Sequence, residues 1–214
     1  MNATTKTAEF FDGYAGQFSA IYGNEHTPLN AIVNRLFRKS MMLRYQRTLA
    51  GCTPIEGKSV IDIGCGPGHY SVELAARGAS RVLGIDFASG MIDIAHRLAD
   101  RAGVADRCTF KLGDFLAASG DETFDYAVVM GFMDYIEDPL ALMRKVLSVC
   151  RGKAFFSFPA DGGLLAWQRR LRYRSRCPLY LYTEPQIRSL LGELGGRSSS
   201  VEVISRDYFV TVSV

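Results

Sequence analysis

An apolar run tipped by an acid opens directly into three alternating glycines at Val60-Ile61-Asp62-Ile63-Gly64-Cys65-Gly66-Pro67-Gly68-His69-Tyr70, and this constrains the fold more than any other segment. Such a run reads as a buried strand, the glycines as a tight turn, and the residues after them as the start of a helix. Glycine lacks a Cβ, so it takes positive φ at little cost and lets a second molecule approach the main chain. The helix that follows presents N–H groups with no partner within the helix. A strand, turn and helix of this kind form the opening unit of an α/β sheet and cradle a nucleotide-like cofactor.

Beyond Gly57, short β-branched or apolar runs alternate with helical patterns, the signature of a sheet with crossover helices. Strands are expected at 58–63, 81–85, 107–112, 124–130 and 153–158, with helices near 69–77, 88–102 and 138–149. A further helix is expected at 183–194, with Thr183 as N-cap, Pro185 in the first turn and Gly195-Gly196 beyond its end. Two closing strands, 200–206 and 208–214, are separated by little more than Asp207. So short a connection permits only an antiparallel pair. Ahead of the sheet, Leu29, Ile32, Val33, Leu36, Phe37 and Leu43 fall at helical spacing within 28–49, and 8–22 has an aromatic-rich helical pattern. Together they read as an N-terminal helical cap.

Bulk properties narrow the function classes. The 214 residues suffice for one sizeable domain, and a mean hydropathy of +0.04 with no long apolar run points to a soluble chain without a transmembrane segment. Met1 to Thr7 has no signal or transit pattern, so the cytoplasm is the expected location. The net charge of +3 divides into +3 over 1–50, −5 over 51–150 and +5 over 151–214, which is not the continuous basic stripe of a nucleic-acid binder. Five scattered cysteines and three histidines form no metal-ligand cluster, so no metal is expected.

The glycine turn alone suits either a dinucleotide or S-adenosylmethionine. Its spacing is GxGxG rather than the GxGxxG of a nicotinamide site, and Asp62 stands two positions before the first glycine. Beside a pyrophosphate that carboxylate adds repulsion; beside a sulfonium or ammonium it adds attraction. Asp86 ends the second strand, where a carboxylate accepts bonds from adjacent ribose hydroxyls. Phe87 reads as a partner for adenine or as core, and Met91 either as a cofactor contact or as the inward face of the next helix. Asp114, after the third strand with Phe115 beside it, is an acceptor for the adenine amino group or an ordinary turn residue. Met130-Gly131 closes the fourth strand, where backbone approaches the methionine part.

These segments, VIDIGCGPG at 60–68, GIDFASGMIDIA at 84–95, GDF at 113–115 and FDYAVVMGFMDYIEDP at 124–139, resemble the class I S-adenosylmethionine-dependent methyltransferases in motif order. The resemblance implies a Rossmann-like, doubly wound α/β sheet of seven strands, mostly parallel, whose last strand is antiparallel. It implies that Asp62, Gly64, Cys65, Gly66 and Gly68 surround the amino acid part of the cofactor, with Asp86 on ribose and Asp114 near adenine. The product would be S-adenosylhomocysteine.

More loosely, Phe10-Phe11-Asp12-Gly13-Tyr14-Ala15 through Ile21-Tyr22 is similar to the entrance of small-molecule enzymes such as the ubiquinone and magnesium-protoporphyrin methyltransferases. That likeness puts Tyr14 or Tyr22 against the cofactor carboxylate; simple helix packing is the alternative. The domain is then read as a cap at 1–50, a cofactor core at 58–158, an acceptor-side insertion at 159–182 and a C-terminal helix and hairpin at 183–214.

The insertion holds Trp167, Arg169, Arg170, Arg172, Arg174 and Arg176. Arginine recognises carboxylate or phosphate with two parallel bonds, so an anionic small-molecule acceptor is one reading. Peripheral contact with an anionic membrane and a solvated helix face are the others. His69, Asp134, Tyr135 and His26 are catalytic-base candidates by residue type, needed only when the acceptor must lose a proton. The nucleophile is an O, N or C atom of the acceptor, and the protein is a monomer or homodimer. A nicotinamide oxidoreductase and a non-catalytic scaffold are the competing function classes.

Overall fold

The computed structural model describes residues 28–118, 120–162 and 179–214, with side chains in the first helix described from residue 39. In chain order the elements are α1 (Pro28–Gly51), β1 (Ser59–Ile63), α2 (His69–Ala76), β2 (Arg81–Asp86), α3 (Ser89–Ala102), β3 (Cys108–Leu112), β4 (Phe124–Val129), a 3-10 turn (Met133–Tyr135), α4 (Pro139–Val149), β5 (Cys150–Pro159), α5 (Glu184–Gly192), β6 (Ser199–Ile204) and β7 (Asp207–Ser213). The strands form one seven-stranded sheet in the order β3-β2-β1-β4-β5-β7-β6. The first five are parallel, and only β7 runs against them, paired to β5 on one side and β6 on the other.

Parallel strands covered on both faces need apolar side chains on both. Ile61, Ile63, Ala127, Val129, Phe156 and Phe158 point to one face, where Leu142, Met143 and Val146 of α4 and Ile187 of α5 pack. Val60, Val82, Tyr126, Val128 and Phe155 point to the other, against α1, α2 and α3. Local signals set the helix starts. Asp138 accepts the Ala141 N–H at 2.9 Å with Pro139 behind it, and Thr183 and Gln186 form a reciprocal capping box.

Element boundaries agree with the sequence reading to within a few residues, with two informative differences. β5 begins at Cys150 rather than 153, directly after α4. The closing turn is Ser205-Arg206 rather than Asp207, which is instead the first residue of β7, 3% exposed. A polar residue between two strands reads locally as turn; a long-range partner put this one inside.

Strand order reverses between β1 and β4, each of which has a different neighbour on its far side. In such sheets a crevice opens outside the carboxyl ends of the two strands at the reversal. The glycine turn after β1 and the Met130-Gly131 corner after β4 both lie there.

Candidate functional site

The glycine turn is built from three positions with three different demands. Gly64, Gly66 and Gly68 have φ of +69°, +52° and +81°. A Cβ on Gly64 would lie 2.4 Å from the Phe132 ring, and one on Gly68 2.9 Å from the Ala95 methyl, so these two admit protein neighbours. Among the described residues, a Cβ on Gly66 would meet nothing within 4 Å. No described residue fills that position, so its bare backbone is available to a ligand. The Gly64 and Cys65 N–H groups donate to the Ile85 carbonyl at 2.8 and 3.1 Å, tying the turn to β2.

Asp86 locks the same turn from below. Its Oδ2 accepts the Gly66 N–H and its Oδ1 the Ala88 N–H, each at 2.9 Å, so one buried carboxylate orients the turn and the start of α3. A carboxylate has about four acceptor positions, and this geometry points the group across the turn. Asp62 is 1% exposed and accepts the Ser71 hydroxyl at 2.6 Å, bridging β1 to the first turns of α2. Burial, and to a lesser extent the neighbouring Asp86 charge, push its pKa up to about 7, against the pull of the Ser71 hydrogen bond. A cation arriving beside it would favour the ionised form.

The other expected residues distribute around this turn. Cys65 is buried with its Sγ against Gly84, and desolvation raises its thiol pKa, so it packs rather than reacts. Phe87 is half-buried and lies 5.8 Å, centroid to centroid, from Phe132. Met91 is 2% exposed and packs with Ala88 and Phe87. Asp114 is exposed after β3, its Oδ1 accepting the Leu116 N–H at 2.9 Å, while Phe115 is buried. Met130 is buried, and Gly131, at φ +72°, donates its N–H to the Ser157 hydroxyl at 2.7 Å.

Three further residues escaped sequence reasoning. Arg44 of α1 donates from Nη1 to the Ser157 hydroxyl at 3.2 Å, and its Nε stands 3.7 Å from Asp207 Oδ2. Among the described residues, that Nε is buried without a hydrogen-bond partner. The same Nη1 would be 3.4 Å from a Cβ on Gly131, so a guanidinium sits directly beside the end of β4. Ser40 donates its hydroxyl to Asp207, completing a buried polar network. The sequence signals were faint: one arginine after Met41-Met42-Leu43, and one hydroxyl within the apolar β5.

Among the catalytic candidates, Asp134 and Tyr135 stand in the 3-10 turn just past Gly131, with Asp134 2% exposed. The Tyr182 hydroxyl donates to the Met133 carbonyl at 3.4 Å. Burial, reinforced by Asp134, raises the Tyr182 pKa and keeps its phenol protonated. His69 is exposed at the start of α2, while the atoms packed around its ring desolvate the imidazole and lower its pKa. Asp134 and His69 both lie beyond the carboxyl ends of neighbouring strands. Tyr14, Tyr22, His26, Trp167, Arg169, Arg170 and Arg172 lie outside the described residues.

Residues 60–153 match a family model described as a methyltransferase domain. The chain is 35% identical over 112 residues to the ubiquinone biosynthesis O-methyltransferase of Neisseria meningitidis serogroup C, covering 50% of this chain and 46% of that one. It is 36% identical over 107 residues to the enzyme of the same name from Cereibacter sphaeroides, covering 50% and 41%. The chain thus spans less than half the length of these curated relatives. In fold it is similar to the magnesium protoporphyrin IX methyltransferase of Synechocystis PCC 6803 with bound S-adenosylhomocysteine, at a TM-score of 0.78 and 19% identity over 99% of both chains. It is also similar to the protein DhpI in complex with S-adenosylhomocysteine, at a TM-score of 0.68 and 18% identity over 98% and 95%.

Proposed function

We infer, from the match of residues 60–153 to a methyltransferase-domain family and from the geometry of the glycine turn, that this protein transfers a methyl group from S-adenosylmethionine to a small-molecule acceptor. The observation that carries the reading is the pairing of Gly66, with no described residue against its bare backbone, with the Asp86 carboxylate bonded to its N–H. A ribose diol fits such a carboxylate, and two buried acids beside the turn disfavour a pyrophosphate. When bound, the cofactor supplies a methyl group made electrophilic by a sulfonium.

The protein's own groups would bind and orient. Asp86 accepts from the ribose hydroxyls, Asp114 from the adenine amino group, and Phe87 and Phe115 flank the base. The Gly64–Gly68 backbone, Met130, Gly131 and the cationic Arg44 hold the amino acid part, with Asp62 beneath the turn. Methyl transfer needs the acceptor nucleophile in line and close, and alignment of the reactants supplies much of the acceleration. Asp134 or His69 takes the proton of a hydroxyl acceptor, each standing at the end of the sheet where the acceptor must enter. With a ubiquinone biosynthesis O-methyltransferase among its relatives and a magnesium protoporphyrin IX methyltransferase among its fold neighbours, aromatic or conjugated small molecules come first among the acceptors to try, and the Arg169–Arg176 stretch is a fitting counter-charge for an anionic one. Buried Cys52, Cys65, Cys108 and Cys150 suit the reducing cytoplasm.

Isothermal calorimetry with S-adenosylhomocysteine tests the core of this reading. Binding by the unaltered protein, weakened roughly 100-fold in Asp86→Ala as two charge-assisted bonds are lost, is the expected result. No binding by the unaltered protein rules the reading out.

A further inference from the structure

Beyond β3 the chain makes one tight turn before running on to β4, and a side chain from a distant helix holds it. Gly113 N–H donates to the Asp86 carbonyl at 2.9 Å, Leu116 N–H to Asp114 Oδ1 at 2.9 Å, and Ala118 N–H to the Asp114 carbonyl at 3.0 Å. The segment therefore winds once around Asp114 and stops. A helical turn that stops leaves its last carbonyls without amide partners. Lys145 of α4 supplies the donor: its Nζ bonds the Leu116 carbonyl at 2.7 Å and the Ala118 carbonyl as well. The same ammonium lies 5.1 Å from the centroid of the Phe115 ring. Its helix is pinned to the sheet by Leu142, Met143, Val146 and Leu147, all buried, so the amine is delivered from a rigid element.

We propose that Lys145 is a positioning residue for the adenine side of the cofactor site, holding Asp114 and Phe115 where they distinguish an amino-purine from an oxo-purine. This rests on the reading above that Asp114 accepts from the adenine amino group. Asp114 is exposed, and its direction is set by the turn backbone to which its own Oδ1 is bonded. That backbone is in turn held by two carbonyl bonds from one ammonium, which also lies over the Phe115 ring. Without the ammonium the turn loses two carbonyl bonds and the cation over Phe115, and Asp114 rotates away from the base edge. Hypoxanthine presents a carbonyl where adenine presents an amino group, so a fixed Asp114 repels it and a loose one does not.

The experiment compares S-adenosylhomocysteine with its deaminated counterpart, S-inosylhomocysteine, by calorimetry. The unaltered protein is expected to prefer the amino form by about 10- to 100-fold, the range for one hydrogen bond matched in one ligand and mismatched in the other. Lys145→Met should cut that preference to within about threefold of unity with little change in melting temperature, while Lys145→Arg, which keeps donors for both carbonyls, restores most of it. Asp86→Ala should weaken both ligands alike and keep the ratio. Should Lys145→Met fail to fold, Lys145→Gln carries the same comparison. An unaltered ratio in the folded Lys145 variant overturns the positioning role alone. Failure of the unaltered protein to bind either ligand overturns the cofactor reading, and this inference with it.

Discussion

Asp62 and Asp86 are both buried acids at successive strand ends, yet they answer different demands. Asp86 is bonded to two backbone amides that fix its direction, whereas Asp62, among the described residues, is bonded to Ser71 alone and has its pKa pushed up to about 7 by burial. A carboxyl raised from 3.8 binds its proton more tightly in the folded chain than in the unfolded one. Its contribution to stability is therefore highest below pH 4, falls as pH rises towards 7, and is level above that. The integrated loss is on the order of 4 kcal/mol in the ligand-free protein. Urea titrations of the unaltered protein and Asp62→Asn should thus diverge between pH 4 and 7, the variant gaining relative stability as pH rises. A difference that stays constant with pH would show that Asp62 is ionised throughout. The residue types at this turn were legible in sequence because each acts locally, the acid at a strand end and the glycines at positive φ. Arg44 was not legible, because its significance lies in Ser157, Gly131 and Asp207, which only the fold brings to it.

Elements were read most accurately where a single period or cap defined them, as with the Thr183–Gln186 box and the Asp138-Pro139 start. The β6–β7 hairpin shows where that kind of reading stops. Its two-residue turn places Ser205 at φ +61°, followed by Arg206, and a positive first residue in such a turn is the place glycine normally takes. Sequence reasoning instead gave the turn to Asp207, a frequent turn former. That carboxylate is held in β7 by Ser40 and Arg44. Replacing Ser205 by Gly removes a left-handed strain worth about 1 kcal/mol and returns part of it as unfolded-chain entropy. A net gain of a few tenths of a kcal/mol is expected by urea denaturation, with the sheet unchanged. At the glycine turn the opposite holds. Gly66→Ala should cost about 1 kcal/mol in stability, since no described residue clashes, while cofactor affinity drops much further because the new methyl occupies the approach to the bare backbone. Thermal melts set beside calorimetric titrations separate the two effects.

For the molecule as a whole, alternation of strands and helices made the doubly wound sheet and its antiparallel close readable from residues 58–214. What alternation does not encode is how the first helix is attached. Three of its residues, Ser40, Arg44 and Arg47, reach Asp207 of β7, Ser157 of β5 and Glu202 of β6, all distant in sequence. The Arg47–Glu202 pair is exposed and contributes little. Arg44 and Asp207 are 12% and 4% exposed, and removing one partner of a buried pair costs about 3–5 kcal/mol. Asp207→Ala should lower stability at the lower end of that range, and amide exchange in α1 should accelerate more than in β1 to β3. Equal acceleration everywhere would mean that the network does not single out the helix. The insertion of β7 between β5 and β6 has one more consequence, which concerns the order in which the chain is made. β6 emerges from the ribosome with no edge to join, because the strand through which it enters the sheet has not yet been synthesised. Until it is, the growing chain exposes the unpaired β5 edge from Lys153 to Pro159, and β7 on its arrival both covers that edge and anchors α1.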